Sequence, residues 1–157
     1  MTDVYTVIQD LFNKVLSAIR NFGYNVDYMR YIIDTNAHYS NGKVVQKEDN
    51  IWSSSWSEHK IIYLNPNYQE VLSYFHIEDM SVEYWYCFNI AYQLAKELYK
   101  NHWKEKDKAD IYNRANNDKS FHSTYLDSLN GSSGSLINEE TCCEYFAVMI
   151  CRSLGMK

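Results

Sequence analysis

Apolar residues recur at helical spacing in two long stretches of the chain. Residues 3–22 carry one apolar face, start at a capping Thr2 or Asp3 and stop before Gly23, which predicts an amphipathic helix. Residues 81–102 are apolar nearly all round, which predicts a helix buried on several sides. We expect this second helix to form the centre of the fold.

Three segments between these helices are rich in β-branched and aromatic residues. They are residues 24–33 (YNVDYMRYII), 37–46 (AHYSNGKVVQ, in which SNG offers a turn) and 58–66 (EHKIIYLNP, which a proline ends). The pattern predicts a small antiparallel sheet of three strands within residues 24–64. With the helices it predicts an α+β fold, in which the sheet packs on a helical part built around residues 81–102.

The remaining segments are predicted to be largely helical. A short helix after Asn67 is indicated by the apolar positions Tyr68, Val71, Leu72 and Phe75. Residues 104–135 are charged, favour helix in parts and end in a flexible loop at 130–135. A final helix is expected to begin at a capping Asn138, with Glu139 and Glu140 in its first turn. We expect residues 1–157 to form one domain.

Composition narrows the classes of function. The formal charge is −5, with 20 acidic against 15 basic residues, which gives no electrostatic reason to bind nucleic acid. The chain has no apolar run that would span a bilayer, and its N-terminus lacks the cationic start of a signal peptide, so we expect a cytoplasmic protein. The four cysteines show no C-x-x-C spacing and are expected to be reduced and packed.

Two helical motifs carry the candidate chemistry. They are IAYQLAKELY at residues 90–99 and EETCCEYFAVMI at residues 139–150. An H-E-x-x-H zinc protease needs two imidazoles four residues apart, a glutamate beside the first as general base and a third ligand from another element. By these motifs and its order of elements, the chain resembles the ImmA/IrrE-like metallopeptidases, which are common in phages, mobile elements and their Gram-positive hosts. The resemblance implies a zincin-like layout.

The resemblance assigns the former zinc site to four residues. The first zinc histidine falls on Tyr92, the catalytic glutamate on Gln93, the second zinc histidine on Lys96 and the retained third ligand on Glu140. The surrounding scaffold of the family is kept at Ile90, Ala91, Leu94, Glu97, Leu98, Tyr99, Cys143, Glu144, Tyr145 and Ala147.

These substitutions remove the zinc chemistry. Tyrosine is a poor zinc ligand, glutamine cannot accept a proton from water, and lysine brings a positive charge to the place of the metal. We therefore expect no metal, no cofactor and no catalytic residue. The Lys96 ammonium is expected to lie within about 4 Å of the Glu140 carboxylate and to replace the metal as a link between helices. Tyr92 and Gln93 are expected to face the same former cleft.

Other interpretations of these residues remain open. The motif helix could belong to an unrelated fold, with Lys96 and Glu97 on a solvated face. A replacement metal site would need distant histidines to converge, because no two lie four residues apart among His38, His59, His76, His102 and His122. Cys142 and Cys143 resemble a nucleophile motif but are more typical of packing.

The sequence leaves two candidate functions for this protein. The first is a noncatalytic binding protein, whose partner would be a regulator of a mobile element or a host defence protein, including a CRISPR effector. The alternative is a hydrolase with a relocated site, built on His122 with Asp127 or on Cys142 with a histidine. Trp52 and Trp56, in NIWSSSWSEH at residues 50–59, are candidate partner-binding residues on a loop or edge strand, although both could instead close the core.

Overall fold

The computed structural model describes residues 3–33, 37–40, 43–46, 54–67, 80–121 and 137–156. Within these ranges the helices are α1 (Val4–Asn21), α2 (Val82–Asn101), α3 (Glu105–Asn117) and α4 (Ile137–Ser153). The strands are β1 (Arg30–Ile33), β2 (Ala37–Ser40), β3 (Lys43–Gln46), β4 (Ser54–Ser57) and β5 (Ile61–Leu64). The fold is α+β, as the sequence predicts.

The main sheet is mixed, which corrects the prediction of an antiparallel sheet. Its strand order is β1-β5-β4, in which β5 pairs parallel with β1 and antiparallel with β4. Strands β2 and β3 form a separate antiparallel pair that contacts β4. The sheet has three strands within residues 24–64, but residues 37–46 are not among them, and only the last four residues of the predicted strand 24–33 are extended.

Strands β4 and β5 form a hairpin whose turn has an unusual backbone. Lys60 has a φ of 67°, and its N–H donates to the Ser57 carbonyl at 3.2 Å. A left-handed conformation is uncommon for a residue with a side chain and costs energy. On the inner face of β5, Ile62 and Leu64 are fully buried, so the hairpin is held against the core.

Helix α1 forms one side of the core. Asp3 caps it by accepting a hydrogen bond from the Tyr5 N–H at 3.1 Å. Gly23, with a φ of 98°, lies just beyond the end of the helix in a conformation that favours glycine. Its buried face consists of Ile8, Leu11, Phe12, Val15, Ala18 and Ile19. The predicted amphipathic helix is confirmed.

Helix α2 is the central element of the fold, as predicted. Ser81 caps it by accepting from the Tyr84 N–H at 3.1 Å. The helix contacts α1 and α4 as well as β4 and β5, so almost every side of it is covered. None of the described helices is both long enough and apolar enough to cross a membrane.

The C-terminal half differs from prediction in one detail. Helix α4 begins at Ile137, so Asn138 lies inside its first turn and is not the cap. Glu139 and Glu140 occupy that first turn as predicted, where the helix dipole favours a negative charge. Helix α3 confirms that the charged stretch is helical in part. The predicted short helix after Asn67 and the loop at 130–135 lie outside the described residues.

Candidate functional site

Two neighbouring rows of α2 side chains, each repeating every four residues, contact different parts of the fold. Asn89, Gln93, Glu97 and Asn101 form a polar row whose members bond with residues of the β4–β5 hairpin or with each other. Tyr92, Lys96 and Lys100 form a second row that approaches the first turn of α4. The residues assigned to the former zinc site are therefore divided between two interfaces.

Tyr92 and Lys96 lie together on the face toward α4. The Tyr92 ring is nearly parallel to that of Phe88, with centroids 6.2 Å apart, and is buried. The Lys96 ammonium lies 5.3 Å from the Tyr92 ring centroid, within the range of a cation–π contact. Burial and the neighbouring Cys143 raise the pKa of the Tyr92 phenol, so it remains protonated. The phenol is thus a neutral, packed group.

The ion pair of Lys96 involves Glu139, which corrects the predicted pairing with Glu140. Its Nζ lies 3.3 Å from Glu139 Oε2, and Lys100 Nζ lies 3.3 Å from Glu139 Oε1. Successive residues of a helix point about 100° apart, since a turn takes 3.6 residues, so a shift of one residue selects a different carboxylate. The sequence motif alone did not determine that register.

Glu140 lies close enough to interact electrostatically with Lys96 and Glu139. Burial raises the pKa of its carboxyl, the Lys96 ammonium opposes the rise, and the Glu139 carboxylate adds to it. Lys96 is therefore electrostatically coupled to both acids while it forms an ion pair with one. Lys96 therefore links α2 to α4 through Glu139. That this link takes the place of a metal stays a prediction.

Gln93 faces the hairpin. Its amide donates to Ser54 Oγ at 2.9 Å, and the Ser54 hydroxyl donates to Asn89 Oδ1 at 2.9 Å. The Asn89 amide in turn donates to the Trp85 carbonyl at 2.7 Å. All three polar side chains of this network are buried, so their hydrogen bonds are needed to offset desolvation. A single cleft bordered by Tyr92 and Gln93 stays a prediction.

Glu97 carries a fully buried carboxylate, which the sequence motifs do not assign to a functional site. Glu97 Oε2 accepts from the Tyr28 hydroxyl at 2.5 Å, from Lys60 Nζ at 2.8 Å and from Asn101 Nδ2 at 3.1 Å. Its other oxygen accepts from Trp56 Nε1 at 3.0 Å. The interpretation that places Glu97 on a solvated face is therefore wrong.

The surroundings of Glu97 fix its charge. Burial raises the pKa of this carboxyl, but the hydrogen bonds from Lys60, Tyr28, Trp56 and Asn101 outweigh it, so the pKa is lowered overall. Both carboxylate oxygens are occupied by donors. Such a carboxylate is a weak base. It holds two segments to α2, which are the residues around Tyr28 and the β4–β5 hairpin.

Tyr28 extends the Glu97 cluster to the surface. Its hydroxyl lies 2.6 Å from His102 Nε2, and its ring stacks on the histidine at 6.0 Å. The Lys60 ammonium also lies 5.4 Å from the Tyr28 ring centroid. The left-handed backbone of Lys60 thus places its ammonium in contact with both Glu97 and Tyr28.

Trp56 joins the two interfaces of α2. It lies on β4, is half-buried against the core and donates to Glu97, while the Lys100 ammonium lies 5.6 Å from its ring centroid. Because Lys100 also pairs with Glu139, a continuous series of contacts runs from Glu97 to the first turn of α4. These contacts favour the core role for Trp56. Trp52 lies outside the described residues.

The cysteines and histidines give little support to a relocated catalytic site. Cys142 is buried, its thiol contacts the Lys108 carbonyl at 3.4 Å, and burial raises its pKa to about 11. Such a thiol is protonated near neutral pH and is a poor nucleophile. Across the described part of the chain, no group of three or more His, Cys, Asp or Glu side chains has an arrangement that would hold a metal ion. His122 and Asp127 lie outside the described residues.

One sequence signal would have revealed the Glu97 cluster. Polar residues at positions 89, 93, 97 and 101 repeat every four residues along a helix whose other residues are mostly apolar. A polar row on a buried helix indicates a hydrogen-bonded interface, since unpaired polar groups are costly there. The partners on the hairpin, by contrast, depend on the tertiary fold.

Comparison with models of known families, with characterised proteins and with solved structures gives no match to this chain. The site must therefore be interpreted from its own geometry and from the resemblance of its two helical motifs.

Proposed function

We propose that this chain is a noncatalytic pseudo-metallopeptidase that acts by binding another protein. The proposal combines the ImmA/IrrE-like resemblance of IAYQLAKELY and EETCCEYFAVMI with the contacts of the substituted residues. Its zincin-like layout is part of the proposal. The observation that carries it is the ion pair between Lys96 and the first turn of α4, at 3.3 Å from Glu139.

The contacts around Lys96 fit a site that has exchanged a metal for a side chain. In an active relative, position 96 would hold a zinc histidine, and the late helix would supply a third ligand to the same ion. Here an ammonium occupies position 96 and reaches an acid in the first turn of that late helix. The Lys96 ammonium thus connects the two helices, with Lys100 on the other oxygen of the same acid and the Tyr92 ring packed against Lys96.

The hydrogen bonds of Gln93 support the loss of hydrolysis. A metallopeptidase needs a carboxylate at this position to accept a proton from the attacking water, and such assistance is worth about 10²–10⁴ in rate. The Gln93 amide instead donates to Ser54 and is part of a buried structural network. Glu97, the nearest carboxylate along the helix, is held by four donors and has a lowered pKa.

The proposed class of partner follows from the occurrence of the family in phages and mobile elements. Its active members cleave regulators of mobile elements, so a member without the chemistry would bind such a regulator or block a host defence protein, for example a CRISPR effector. The net charge of −5 agrees with a protein partner more readily than with direct binding to nucleic acid. The proposal includes no cofactor and no membrane surface.

A relocated hydrolase site remains the second candidate. It would use His122 with Asp127, or Cys142 with a histidine. The raised pKa and burial of Cys142 weigh against the latter arrangement. No observation favours this candidate over the binding protein.

Affinity capture from a host-cell extract, repeated with and without EDTA, tests the proposed function. A captured protein is then purified, mixed with the chain and followed by light scattering and intact mass. We expect a stoichiometric complex that survives EDTA and leaves both chains uncut. Alanine substitutions at the exposed Tyr5, Phe22 and Ile32 would map the contact surface.

Cleavage of the captured protein would contradict the proposal, as would a complex that requires a divalent metal. Hydrolysis that persists in EDTA and disappears in Cys142→Ser would instead support the relocated site.

A further inference from the structure

Two buried thiols meet where α2 packs against α4. Cys87 and Cys151 are almost fully buried, and their Sγ atoms lie 3.4 Å apart. Both are free thiols. The contact lies at the opposite end of the helix pair from Glu139, since Cys87 is near the start of α2 and Cys151 is near the end of α4.

The helix geometry keeps these two sulfurs facing each other. Lys96 near the end of α2 pairs with Glu139 at the start of α4, so the two helices run antiparallel. Moving back along α2 from Lys96 to Cys87 corresponds to moving forward along α4 from Glu139 to Cys151. The two cysteines therefore meet near the same end of the antiparallel pair, whereas the Cys142 sulfur contacts the Lys108 carbonyl.

We propose that Cys87 and Cys151 are an oxidation site, at which peroxide converts the thiol pair into a disulfide that joins α2 to α4. The geometry carries this inference. The two sulfur atoms lie 3.4 Å apart across two packed helices and need to approach by about 1.4 Å to reach the length of a disulfide bond, about 2.0 Å.

A hydrogen bond joins the two thiols. The Cys151 thiol donates to Cys87 Sγ, and this hydrogen bond lowers the pKa of Cys87, although burial opposes it. The same contact, together with burial, raises the pKa of Cys151. Because the two sulfurs are in contact, either one can be oxidised first with the other beside it to form the disulfide.

The reaction balances with hydrogen peroxide as the oxidant. If Cys87 is oxidised first, its thiolate attacks one peroxide oxygen, the O–O bond breaks, and the departing hydroxide takes a proton to leave as water, which gives a sulfenic acid. The Cys151 sulfur then attacks the Cys87 sulfur, the S–O bond breaks, and a second water forms with the Cys151 proton. Two thiols and one peroxide become one disulfide and two waters.

Access to the site fits the position of Cys151. It lies in the last turns of α4, two residues before the helix ends at Ser153, and helix ends open more readily than helix centres. Peroxide is a small oxidant that needs only such a local opening. Larger disulfide reagents are expected to react more slowly at this pair.

Peroxide treatment of the native full chain, followed by quenching, alkylation of remaining thiols and peptide mapping, tests the inference. We expect intact mass to fall by two hydrogen atoms and a single cross-linked peptide pair that contains Cys87 and Cys151. Dithiothreitol should reverse both changes. The disulfide should raise Tm by several degrees, because it closes a long loop of the chain.

Substitutions make the assignment specific. Cys87→Ala and Cys151→Ala should each abolish the cross-link, whereas Cys142→Ser with Cys143→Ser should retain it. A map of the wild-type chain in which Cys87 and Cys151 stay alkylated, oxidise separately to sulfinic acids or bridge to Cys142 or Cys143 would overturn the proposal. The wild-type map decides the question even if an alanine variant fails to fold.

Discussion

The Lys96 ammonium lies 3.3 Å from Glu139 Oε2 and joins the central helix to the first turn of the last helix. Lys100 approaches the other oxygen of the same carboxylate at 3.3 Å. Glu139 is therefore shared by two cations, whose side chains are 21 % and 42 % exposed, while its own is 13 % exposed. Removing the shared acid must have a different effect from removing either lysine.

The first prediction concerns this shared acid. Glu139→Gln should lower the free energy of unfolding by about 1–2 kcal/mol, because it weakens two charge-assisted hydrogen bonds in a half-buried place. Lys96→Met and Lys100→Met should each cost less, on the order of 1 kcal/mol or below, since one cation remains with Glu139. Urea denaturation of the three variants and the wild type measures these differences.

A double-mutant cycle measures the interaction energy between Lys96 and Glu139 separately from their other contacts. The coupling energy between Lys96 and Glu139 should be favourable, whereas that between Lys96 and the exposed Glu105 should be close to zero. An absence of coupling between Lys96 and Glu139 would show that the ion pair contributes nothing to stability.

The second prediction concerns Glu97. Glu97→Gln should destabilise the fold by about 2–4 kcal/mol at pH 7, because it leaves the Lys60 ammonium without its carboxylate partner and disturbs the hydrogen bonds of a fully buried side chain. The exposed Glu105→Gln is the matched control and should change stability by less than about 0.5 kcal/mol. Equal effects of the two substitutions would contradict the assigned role of Glu97.

The Glu97 charge also predicts a dependence of stability on pH. The pKa of Glu97 is lowered in the folded chain from its ordinary value of 4.5, so the unfolded chain binds this proton at a higher pH than the folded one. The stabilisation is therefore complete above pH 4.5 and is lost as the pH falls through the folded pKa. Urea denaturation of wild type and Glu97→Gln from pH 6 to pH 3 should show the stability difference shrink below about pH 4.5.

The third prediction concerns the hydrogen-bond network of Gln93, Ser54 and Asn89. Ser54→Ala should cost about 1–3 kcal/mol, because it removes the hydroxyl that links the buried amides of Gln93 and Asn89. Ser17→Ala, on the exposed face of α1, is the control and should be close to neutral. Thermal melts of both variants provide the comparison, and an equal Tm for Ser54→Ala and wild type would count against the network.

The sequence predicts the helices of this fold better than its sheet. Helix α2 is marked by its Ser81 cap and a long apolar pattern, both of which are local signals. The parallel pairing of Tyr31 with Ile62 brings together strands that lie far apart in the chain. Alternation of apolar residues indicates that a segment is extended, but it does not identify the partner strand or its direction.

The candidate site, too, is predicted only in part by the sequence. The motif places Tyr92 and Lys96 on one face of α2, because a spacing of four residues is a property of the helix itself. It does not distinguish Glu139 from Glu140 as the partner, because that choice depends on how α4 is rotated against α2. The partners of Glu97 are Tyr28, before β1, and Trp56 and Lys60 on the β4–β5 hairpin, which only the tertiary fold brings to α2.

The fourth prediction concerns catalysis. Neither the wild type nor Gln93→Glu should cleave a generic peptide library in the presence of zinc, because a restored base has no metal-bound water from which to take a proton. Chromatography of the peptides before and after incubation measures this directly. Cleavage by either chain that EDTA abolishes would show that the motif has been misassigned.

The zinc content per chain, measured by elemental analysis, tests the central claim most directly. It is compared between the wild type and the triple variant Tyr92→His/Gln93→Glu/Lys96→His. The triple substitution restores both zinc histidines and the base, while Glu139 and Glu140 remain as possible third ligands. The account predicts no stoichiometric zinc in the wild type and about one zinc ion per chain in the folded triple variant, lost again when both glutamates become alanine. Stoichiometric zinc in the wild type, or a folded triple variant that binds none, would contradict a pseudo-metallopeptidase built on this layout.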